Sequence, residues 1–216
     1  MGQKVNPINF RIGSIFTSKS RWFADKKDYA NKVLEDFKLR GYLNDKLANA
    51  GLVQVDIERS ISKIKVMVLV ARPGVVIGKG GANLEAIKKD VEKMLNAHKL
   101  HKDQVRIDLK VEEVKDVNLS SKLVVERIIS QMIARYPHRR AINQALEKVM
   151  GSGAKGVKIQ LSGRIGGAEI GRSETYFRGS VPTQTIRANI DYFEAPAKTR
   201  SGYVGIKTWI YKGEIV

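Results

Sequence analysis

The chain has 216 residues, of which 39 are lysine or arginine and 22 are aspartate or glutamate, so its formal net charge at pH 7 is +17. Hydrophobic residues make up 43% of the chain, which excludes a disordered basic tail, and the positive excess predicts a polyanionic partner, with nucleic acid the first candidate and an anionic membrane surface the second. The sequence contains no cysteine, which excludes disulfides, thiolate metal sites and cysteine nucleophiles.

The first predicted element is a helical stretch from Asp25 to Ala50. Tyr29, Val33 and Phe37 recur at a spacing of four residues, which places them together on one helical face. Gly41 is expected to break this stretch into two helices.

Three strands follow, with a second long helix before the last of them. Residues 52–58 alternate apolar and polar side chains, as a half-buried strand does, whereas residues 63–71 are almost continuously apolar and predict a central strand covered on both faces. Residues 105–111 alternate again. The helix between the last two strands has one apolar stripe, formed by Leu84, Ile87, Val91, Met94 and Leu95.

The segment RPGVVIGKGG, just before this helix, contains the sharpest local signal. A P-loop is excluded, because Pro73 stands where its first glycine would be and Gly80 stands where its serine or threonine would be. A dinucleotide-binding fingerprint is excluded as well, because Asn83 replaces its third glycine. What remains is a G-x-x-G pattern from Gly78 to Gly81 with lysine in its second position.

This pattern resembles the GXXG loop of KH domains, which joins two helices and clamps single-stranded nucleic acid. Glycines let the main chain approach phosphate oxygens, the N-terminus of the following helix supplies free N–H donors, and Lys79 adds a positive charge. The alternative is a plain connection between two helices. The order helix, strand, strand, short helix, loop, helix, strand favours the type II KH fold.

The second half begins after a short polar linker at residues 113–117. Asn118 is expected to cap a helix that runs to Tyr136, where Pro137 stops it, and a second helix follows from His138 to Met150. Four strands are then predicted, at residues 157–162, 174–178, 187–193 and 203–211. Two helices on one face of an antiparallel or mixed sheet give an α+β domain.

Segments along essentially the whole chain resemble the family of bacterial small-subunit ribosomal protein three. They are MGQKVNP, ARPGVVIGKGG, GAKGVKIQLSGRIGGAEIGRSE, VPTQTIRANIDY and YVGIKTWIYKGEI. With this resemblance the chain divides into an N-terminal extension at residues 1–24, a type II KH domain at 25–112, the linker at 113–117 and a C-terminal two-helix, four-strand α+β domain at 118–216.

The resemblance implies a non-enzymatic protein of the cytoplasmic ribosome that binds rRNA in the head of the small subunit. It also implies a place beside the channel through which mRNA enters, and beside small-subunit proteins ten and fourteen. In the family a basic helix start at this channel helps to unwind structured mRNA, and the matching residues here are Arg139 and Arg140. Asn143 stands where the family has a third basic residue, which predicts a weaker contribution to unwinding.

RNA contacts are therefore expected at the glycine loop, at this helix start and in the glycine-rich segment SGRIGGAEIGR. The candidate RNA-binding residues are Arg72, Gly78, Lys79, Gly80, Gly81, Arg139, Arg140, Arg164 and Arg172. Contact with rRNA and exposure to solvent are equal alternatives for Arg164 and Arg172, and the segment that contains them fits a phosphate cradle or a tight turn close to RNA. His138 is expected near phosphate.

Other kinds of site receive less support. The sequence has no Ser–His–Asp order, no HExxH motif and no carboxylate pair beside a nucleophile, so neither catalysis nor a cofactor is expected. His98, His101 and His138 are the only histidines, and without cysteine or a carboxylate cluster they do not predict a metal site. No apolar run approaches the roughly 20 residues that span a bilayer, and the N-terminus lacks the apolar core of a signal peptide, so no membrane partner is expected.

Two other functional classes stay open. One is a free-standing KH-domain RNA-binding regulator, although the tandem KH domains or S1-type barrel usual in such proteins are not found in the sequence. The other is an enzyme that acts on nucleic acid, which would need an acid–base or metal cluster.

Overall fold

The structure is a computed structural model that describes residues 4–60, 63–96 and 106–215. It divides into two compact units. The first is Ser18–Lys115, and the second combines the N-terminal segment that ends at Thr17 with the chain from Asp116 onward. The short helix α1 (Pro7–Phe10) belongs to the second unit. The residues of the predicted N-terminal extension are thus shared between the two units.

The first unit packs helices against a four-stranded sheet with the strand order β1-β2-β3-β4. Its elements are β1 (Ser20–Arg21), α2 (Lys26–Lys46), β2 (Leu52–Arg59), β3 (Lys63–Val70), α3 (Pro73–Ile77), α4 (Ala82–Asn96) and β4 (Arg106–Glu113). β2 and β3 are antiparallel, whereas β1 is parallel to β2 and β4 is parallel to β3. The element order from α2 to β4 is the one that the sequence predicts for a type II KH domain.

Helix α2 is continuous, and its buried leucines do not lie on the face that Tyr29, Val33 and Phe37 share. Leu39 and Leu43 are fully buried, and the exposed Gly41 lies between them inside the unbroken helix. A glycine in an exposed helix interior costs about 1 kcal/mol, less than the roughly 1.5–3 kcal/mol gained by burying each leucine. Tyr29 and Phe37 are 56% and 75% exposed, so the face that they share with Val33 is not the buried one, and the predicted break at Gly41 is wrong.

Strand β3 pairs on both edges, but only one of its faces is fully covered. Val66, Val68 and Val70 are buried in the core with α2 and α4, whereas Met67 and Leu69 on the opposite face are half-buried. The prediction of a strand covered on both faces is therefore wrong for the second face. The described helices of this unit cover only one face of the sheet. The apolar run in the sequence does not show that the second face stays uncovered.

Strand β4 continues beyond its predicted end. It corresponds to the strand predicted at residues 105–111, of which residue 105 lies outside the described residues. Glu113 still pairs with Val70, and the backbone N–H of Val114 donates to the Val70 carbonyl at 2.9 Å. Strand pairing thus reaches into the segment predicted as a linker.

The second unit packs two long helices on an antiparallel sheet. Besides α1, its helices and strands are α5 (Ser121–Ile133), α6 (His138–Gly151), β5 (Gly156–Gly163), β6 (Arg172–Gly179), β7 (Ala188–Thr199) and β8 (Gly202–Glu214). The strand order is β6-β5-β8-β7, and each neighbouring pair is antiparallel. Ile128 of α5 and Ile142 of α6 pack with Ile159 and Leu161 of β5 in one core. The predicted α+β class with two helices and four strands is confirmed, and every strand is longer than predicted.

Helix α5 begins later than predicted and receives its cap from a distant strand. The backbone N–H of Ser121 donates to the Asp191 carboxylate of β7 at 2.9 Å, which satisfies one of the unpaired N–H groups at the helix start. The Asn118 side chain instead donates to the Ser152 hydroxyl at 3.1 Å and accepts from Arg127 at 3.1 Å. The prediction that Asn118 caps this helix is therefore wrong, because tertiary partners take its side chain.

Candidate nucleic-acid interface

The glycine loop joins α3 to α4 in the first unit and exposes its main chain. The φ angles of Gly78, Gly80 and Gly81 are 70°, 61° and 84°, in the region that L side chains rarely adopt. A Cβ built on Gly80 or Gly81 would meet no atom within 4 Å, so the loop faces open space there. A phosphate oxygen can therefore approach this backbone without a side chain in its way.

Position 78 requires a glycine because the Asn83 side chain packs closely against it. A Cβ at this position would lie 2.8 Å from atoms of the Asn83 side chain. That side chain donates from Nδ2 to the Val75 carbonyl at 3.3 Å, which ties the first turn of α4 to α3. Asn83, the residue that excludes a dinucleotide-binding fingerprint, thus helps to fix the shape of the loop.

Charged and apolar side chains lie beside the exposed main chain. Lys79 is exposed in the loop, and Arg72 is exposed immediately before α3. Val75 and Ile77 are 50% and 41% exposed, whereas Val76 between them is buried. The candidate residues predicted from the sequence do not include these two apolar side chains. The only signal for their exposure is that they stand on either side of a residue that is buried. Together with the positive end of the α4 dipole, this surface can bind a phosphate backbone and pack against a base.

The start of α6 places two exposed arginines where a helix favours anions. Its N-cap residue, Pro137, provides no side-chain cap, and its first turn contains no acidic residue before or after Arg139 and Arg140. Arg140 lies 5.7 Å from the centroid of the Tyr136 ring, and Arg139 lies beside the Tyr176 hydroxyl. Neither arginine forms an ion pair with a carboxylate of the described residues. Cations at this helix end are unfavourable by a few tenths of a kcal/mol each, and an external anion relieves that cost.

Three polar side chains surround the carboxylate of Glu174, which lies on β6. It accepts a hydrogen bond from the Tyr176 hydroxyl at 2.6 Å, forms an ion pair with Nε of Arg172 at 2.8 Å, and lies 3.3 Å from Nε2 of His138. The Tyr176 hydrogen bond, followed by the charges of Arg172 and His138, lowers the pKa of Glu174 against a smaller opposing effect of burial. His138, for which the sequence predicts a phosphate neighbour, therefore lies against an ionised carboxylate.

Arg164 and Arg172 lie at the two ends of the connection between β5 and β6. Arg164 is exposed and its Nε donates to the Ala168 carbonyl at 2.8 Å, while the buried Ile165 anchors the turn. Arg172 is half-exposed but shares the Glu174 carboxylate. An RNA phosphate would compete with Glu174 for Arg172, whereas no carboxylate of the described residues pairs with Arg164.

Known proteins resemble the chain along its whole length. A family model described as KH domain matches residues 38–119, and one described as the C-terminal domain of ribosomal protein S3 matches residues 128–210. Small ribosomal subunit protein uS3 of Caldicellulosiruptor bescii is 45% identical over 216 residues, which are 100% of this chain and 94% of that protein. The chain belongs to the uS3 family. Proteins of the same name from Desulforamulus reducens and Thermodesulfovibrio yellowstonii are each 46% identical, over 100% of this chain and 94% and 95% of their own lengths.

Membership of the uS3 family confirms the resemblance that the sequence motifs carry. The KH match includes the glycine loop and confirms a KH domain in the first half of the chain, and the second match includes the start of α6 and most of its sheet. The uS3 family consists of structural ribosomal proteins, so the prediction that the chain is not an enzyme is confirmed. The nine candidate RNA-binding residues stay predictions.

No metal site occurs in the part of this uS3-family chain that the structure describes. His98 and His101 lie outside the described residues. Within residues 4–60, 63–96 and 106–215, no three histidine or carboxylate side chains come together in a way that could hold a metal ion. In the same ranges, no helix is both long enough and apolar enough to cross a membrane.

Replacing Lys79 and Gly80 with aspartate is expected to weaken binding of the full chain to a single-stranded oligouridylate by about tenfold, or ~1.4 kcal/mol. The two carboxylates would repel phosphates that the open main chain and Lys79 otherwise attract. Fluorescence anisotropy measures the dissociation constant, and circular dichroism checks that the melting temperature is kept.

The matched control is the double variant Lys79→Asn, Gly80→Asn. Asparagine has the size of aspartate and tolerates positive φ without carrying a charge. We expect this control to bind RNA more tightly than the aspartate variant. Equal affinities of the parent and the aspartate variant would contradict a phosphate-binding role for the loop.

Proposed function

We propose that this chain is a structural constituent of the head of the small ribosomal subunit in the cytoplasm, where it binds rRNA and contributes to the channel through which mRNA enters. Membership of the uS3 family supports the ribosomal assignment, and the net charge of +17 supports RNA binding. The observation that carries the channel assignment is the exposed pair Arg139 and Arg140 at the start of α6. Small-subunit proteins ten and fourteen are proposed as neighbours on the family resemblance alone.

The two arginines can act on mRNA by holding the backbone of one strand. Guanidinium groups bind phosphate through two parallel hydrogen bonds, and such contacts do not depend on base sequence. The Tyr136 ring, 5.7 Å from the Arg140 guanidinium carbon, limits where that side chain can point. A strand held at successive phosphates is slower to pair again with its complement. The result would be a sequence-independent aid to unwinding.

The remaining candidates anchor the protein to rRNA in this proposal. In the first unit they are Arg72, Gly78, Lys79, Gly80 and Gly81. In the second unit they are Arg164 and Arg172. Contacts of this kind fix position through phosphates and need no base-specific hydrogen bonds.

Replacing Arg139 and Arg140 with alanine is expected to slow translation of a message with a stable downstream hairpin several-fold. A message without a hairpin is expected to be translated at nearly the parental rate, because the substitutions remove the phosphate-binding groups from the unwinding step alone. The variant should still sediment with small subunits in low-magnesium gradients, since the other basic surfaces remain. A reconstituted translation system with purified subunits measures both rates.

Two further variants sharpen this test. Arg178→Ala with Arg187→Ala removes the same charge from two arginines that already pair with Glu147 and Glu214, and should leave both messages unaffected. Asn143→Lys places a cation on the exposed next turn of α6 and should speed the hairpin message. Equal rates on the two messages for the Arg139 and Arg140 variant would reject the channel assignment. A parent chain that stays out of small subunits would reject the ribosomal function itself.

A further inference from the structure

A groove of about 670 Å³ lies among three loops of the second unit. These loops are the turn between α5 and α6, the connection between β5 and β6, and the turn between β7 and β8. Four cationic side chains line the groove, namely Arg135, Arg164, Lys198 and Arg200. Among the residues that the structure describes, no carboxylate lines it. Its chemistry is therefore that of an anion site.

The four cations of this groove lack the acidic partner that some other cations of the same unit have. Arg172 and Arg178 pair with Glu174 and Glu147, whereas none of the four groove cations forms an ion pair within the described ranges. Several like charges gathered around one groove repel each other. An anion in the groove would remove that repulsion and gain charge-assisted hydrogen bonds.

Arg135 occupies a backbone position that favours glycine. Helix α5 ends at Ile133, and Arg135 follows with a φ of 60°, the only positive φ of a non-glycine residue in the described part of the chain. Helices commonly end on a glycine in this conformation, because a Cβ is disfavoured there. An arginine held in a disfavoured conformation at the rim of a cationic groove points to a role for its side chain.

The other walls of the groove are also shaped for a ligand. The bond from Nε of Arg164 to the Ala168 carbonyl fixes that guanidinium and leaves its two terminal amino groups for a ligand. Gly167 has a φ of 85°, and a Cβ there would lie only 3.2 Å from the Ser201 hydroxyl. Glycine at this position thus lets the β5–β6 connection pack against the β7–β8 turn and close one side of the groove.

We propose that this groove binds the phosphate backbone of RNA through Arg135, Arg164, Lys198 and Arg200. The inference rests on the proposed RNA-binding function and adds a binding site to it. Tyr136 lines the groove and also contacts Arg140, so a strand leaving the groove would meet the start of α6 next. Arginine is suited to this ligand because its planar fork matches two phosphate oxygens at once.

The test uses the full chain and two labelled RNAs, a 20-nucleotide oligouridylate and a hairpin with a 12-base-pair stem. Arg135→Gly removes the charge and relieves the disfavoured φ, so the melting temperature should stay equal or rise while RNA binding weakens about threefold or more. Arg135→Gly with Arg200→Ala should weaken binding about tenfold or more. For the single strand, the slope of log affinity against log salt should become shallower by roughly 0.7 for each phosphate that the variant no longer neutralises.

Arg178→Ala is the matched control, because it removes one charge from an arginine that is already paired. Weaker binding of the oligouridylate by the groove variants would support a site for single-stranded RNA, and weaker binding of the hairpin would support a site for folded RNA. The proposal is overturned if the parent binds RNA and the Arg135 and Arg200 variant binds both RNAs as tightly as the control does. A parent chain that binds neither RNA would instead reject the proposed function.

Discussion

Replacing Arg59 with methionine is expected to lower the free energy of unfolding of the first unit by about 3–5 kcal/mol. Arg59 ends β2 and binds the Asp36 carboxylate of α2 through Nε, at 2.8 Å, and through a terminal amino group, while another amino group lies 2.7 Å from Glu35. The Arg59 and Asp36 side chains are each 7% exposed. Without the guanidinium, the buried carboxylate of Asp36 loses its counterion, which is the costly way to break a buried ion pair.

Asp36 also holds the N-terminal strand of this unit. Its carboxylate accepts from the Trp22 indole at 2.8 Å and from the Ser20 hydroxyl at 3.3 Å, so a single side chain links β1, α2 and β2. Those neutral donors do not replace the lost charge of Arg59. Removing both charges, with Asp36→Leu in addition to Arg59→Met, leaves no ion buried alone. The double variant is therefore expected to be more stable than Arg59→Met by itself.

The two tryptophans allow each unit to be followed separately. Trp22 lies in the first unit and Trp209 in the second, so a Trp209→Phe background leaves a fluorescence reporter for the first unit during unfolding in urea. Arg21→Met is the control, because Arg21 is half-exposed and pairs with Glu58 at the surface, where such a pair contributes less than about 1 kcal/mol. An equal loss of stability in Arg59→Met and Arg21→Met would show that burial adds nothing to the Arg59 ion pair.

The glycine loop and the order of elements could be predicted because their signals are local. G-x-x-G occupies four consecutive positions, and strand alternation is complete within about seven residues. Features that depend on contacts with residues far away in the chain could not be predicted. Helix α2 has two apolar stripes, and only the sheet decides that Leu39 is covered while Phe37 is exposed. The start of α5 depends on Asp191, which is 70 residues from Ser121.

The same distinction holds for the candidate RNA-binding residues, of which only those with a local signal could be proposed from the sequence. Arg139 and Arg140 could be proposed from the sequence, because they match the basic helix start of the family and follow a proline at the start of a helix. Arg135, Lys198 and Arg200 could not, because their groove is assembled from loops far apart in the chain. The charge count has the same weakness, since it treats every arginine as a surface cation available to RNA. Arg59 and Arg11 are counted in the net charge of +17, and both are buried inside their units.

Arg11 is a buried cation held by carbonyl groups. It is 0% exposed, and its terminal amino groups donate to the carbonyls of Pro7 at 2.9 Å, Thr183 at 2.9 Å and Thr185 at 2.8 Å. Burial lowers the pKa of Arg11, although a guanidinium stays protonated in proteins at neutral pH. No carboxylate of the described residues pairs with it. This side chain thus joins the N-terminal segment to the loop before β7.

Replacing Arg11 with methionine is expected to lower the free energy of unfolding of the second unit by about 2–4 kcal/mol. Methionine fills much of the volume but has no donor, so the carbonyl oxygens stay buried at a cost of roughly 1–3 kcal/mol each. Part of this cost is offset, because the buried charge is removed as well. Arg11→Lys keeps the charge, but one ammonium group cannot reproduce the planar fork that reaches several carbonyls, so an intermediate loss of stability is expected.

Urea unfolding followed at Trp209, in a Trp22→Phe background, measures the stability of the second unit in each variant. Arg187→Met is the control, because Arg187 is 72% exposed and pairs with Glu214 at 3.0 Å, so its effect should stay within about 0.5 kcal/mol. Limited proteolysis should cut residues 4–17 faster in Arg11→Met than in this control, because the segment loses the bonds that hold it to the loop before β7. If both variants are cut and unfold alike, the carbonyl groups around Arg11 do not hold the N-terminal segment, and its packing rests on the contact of α1 with β7.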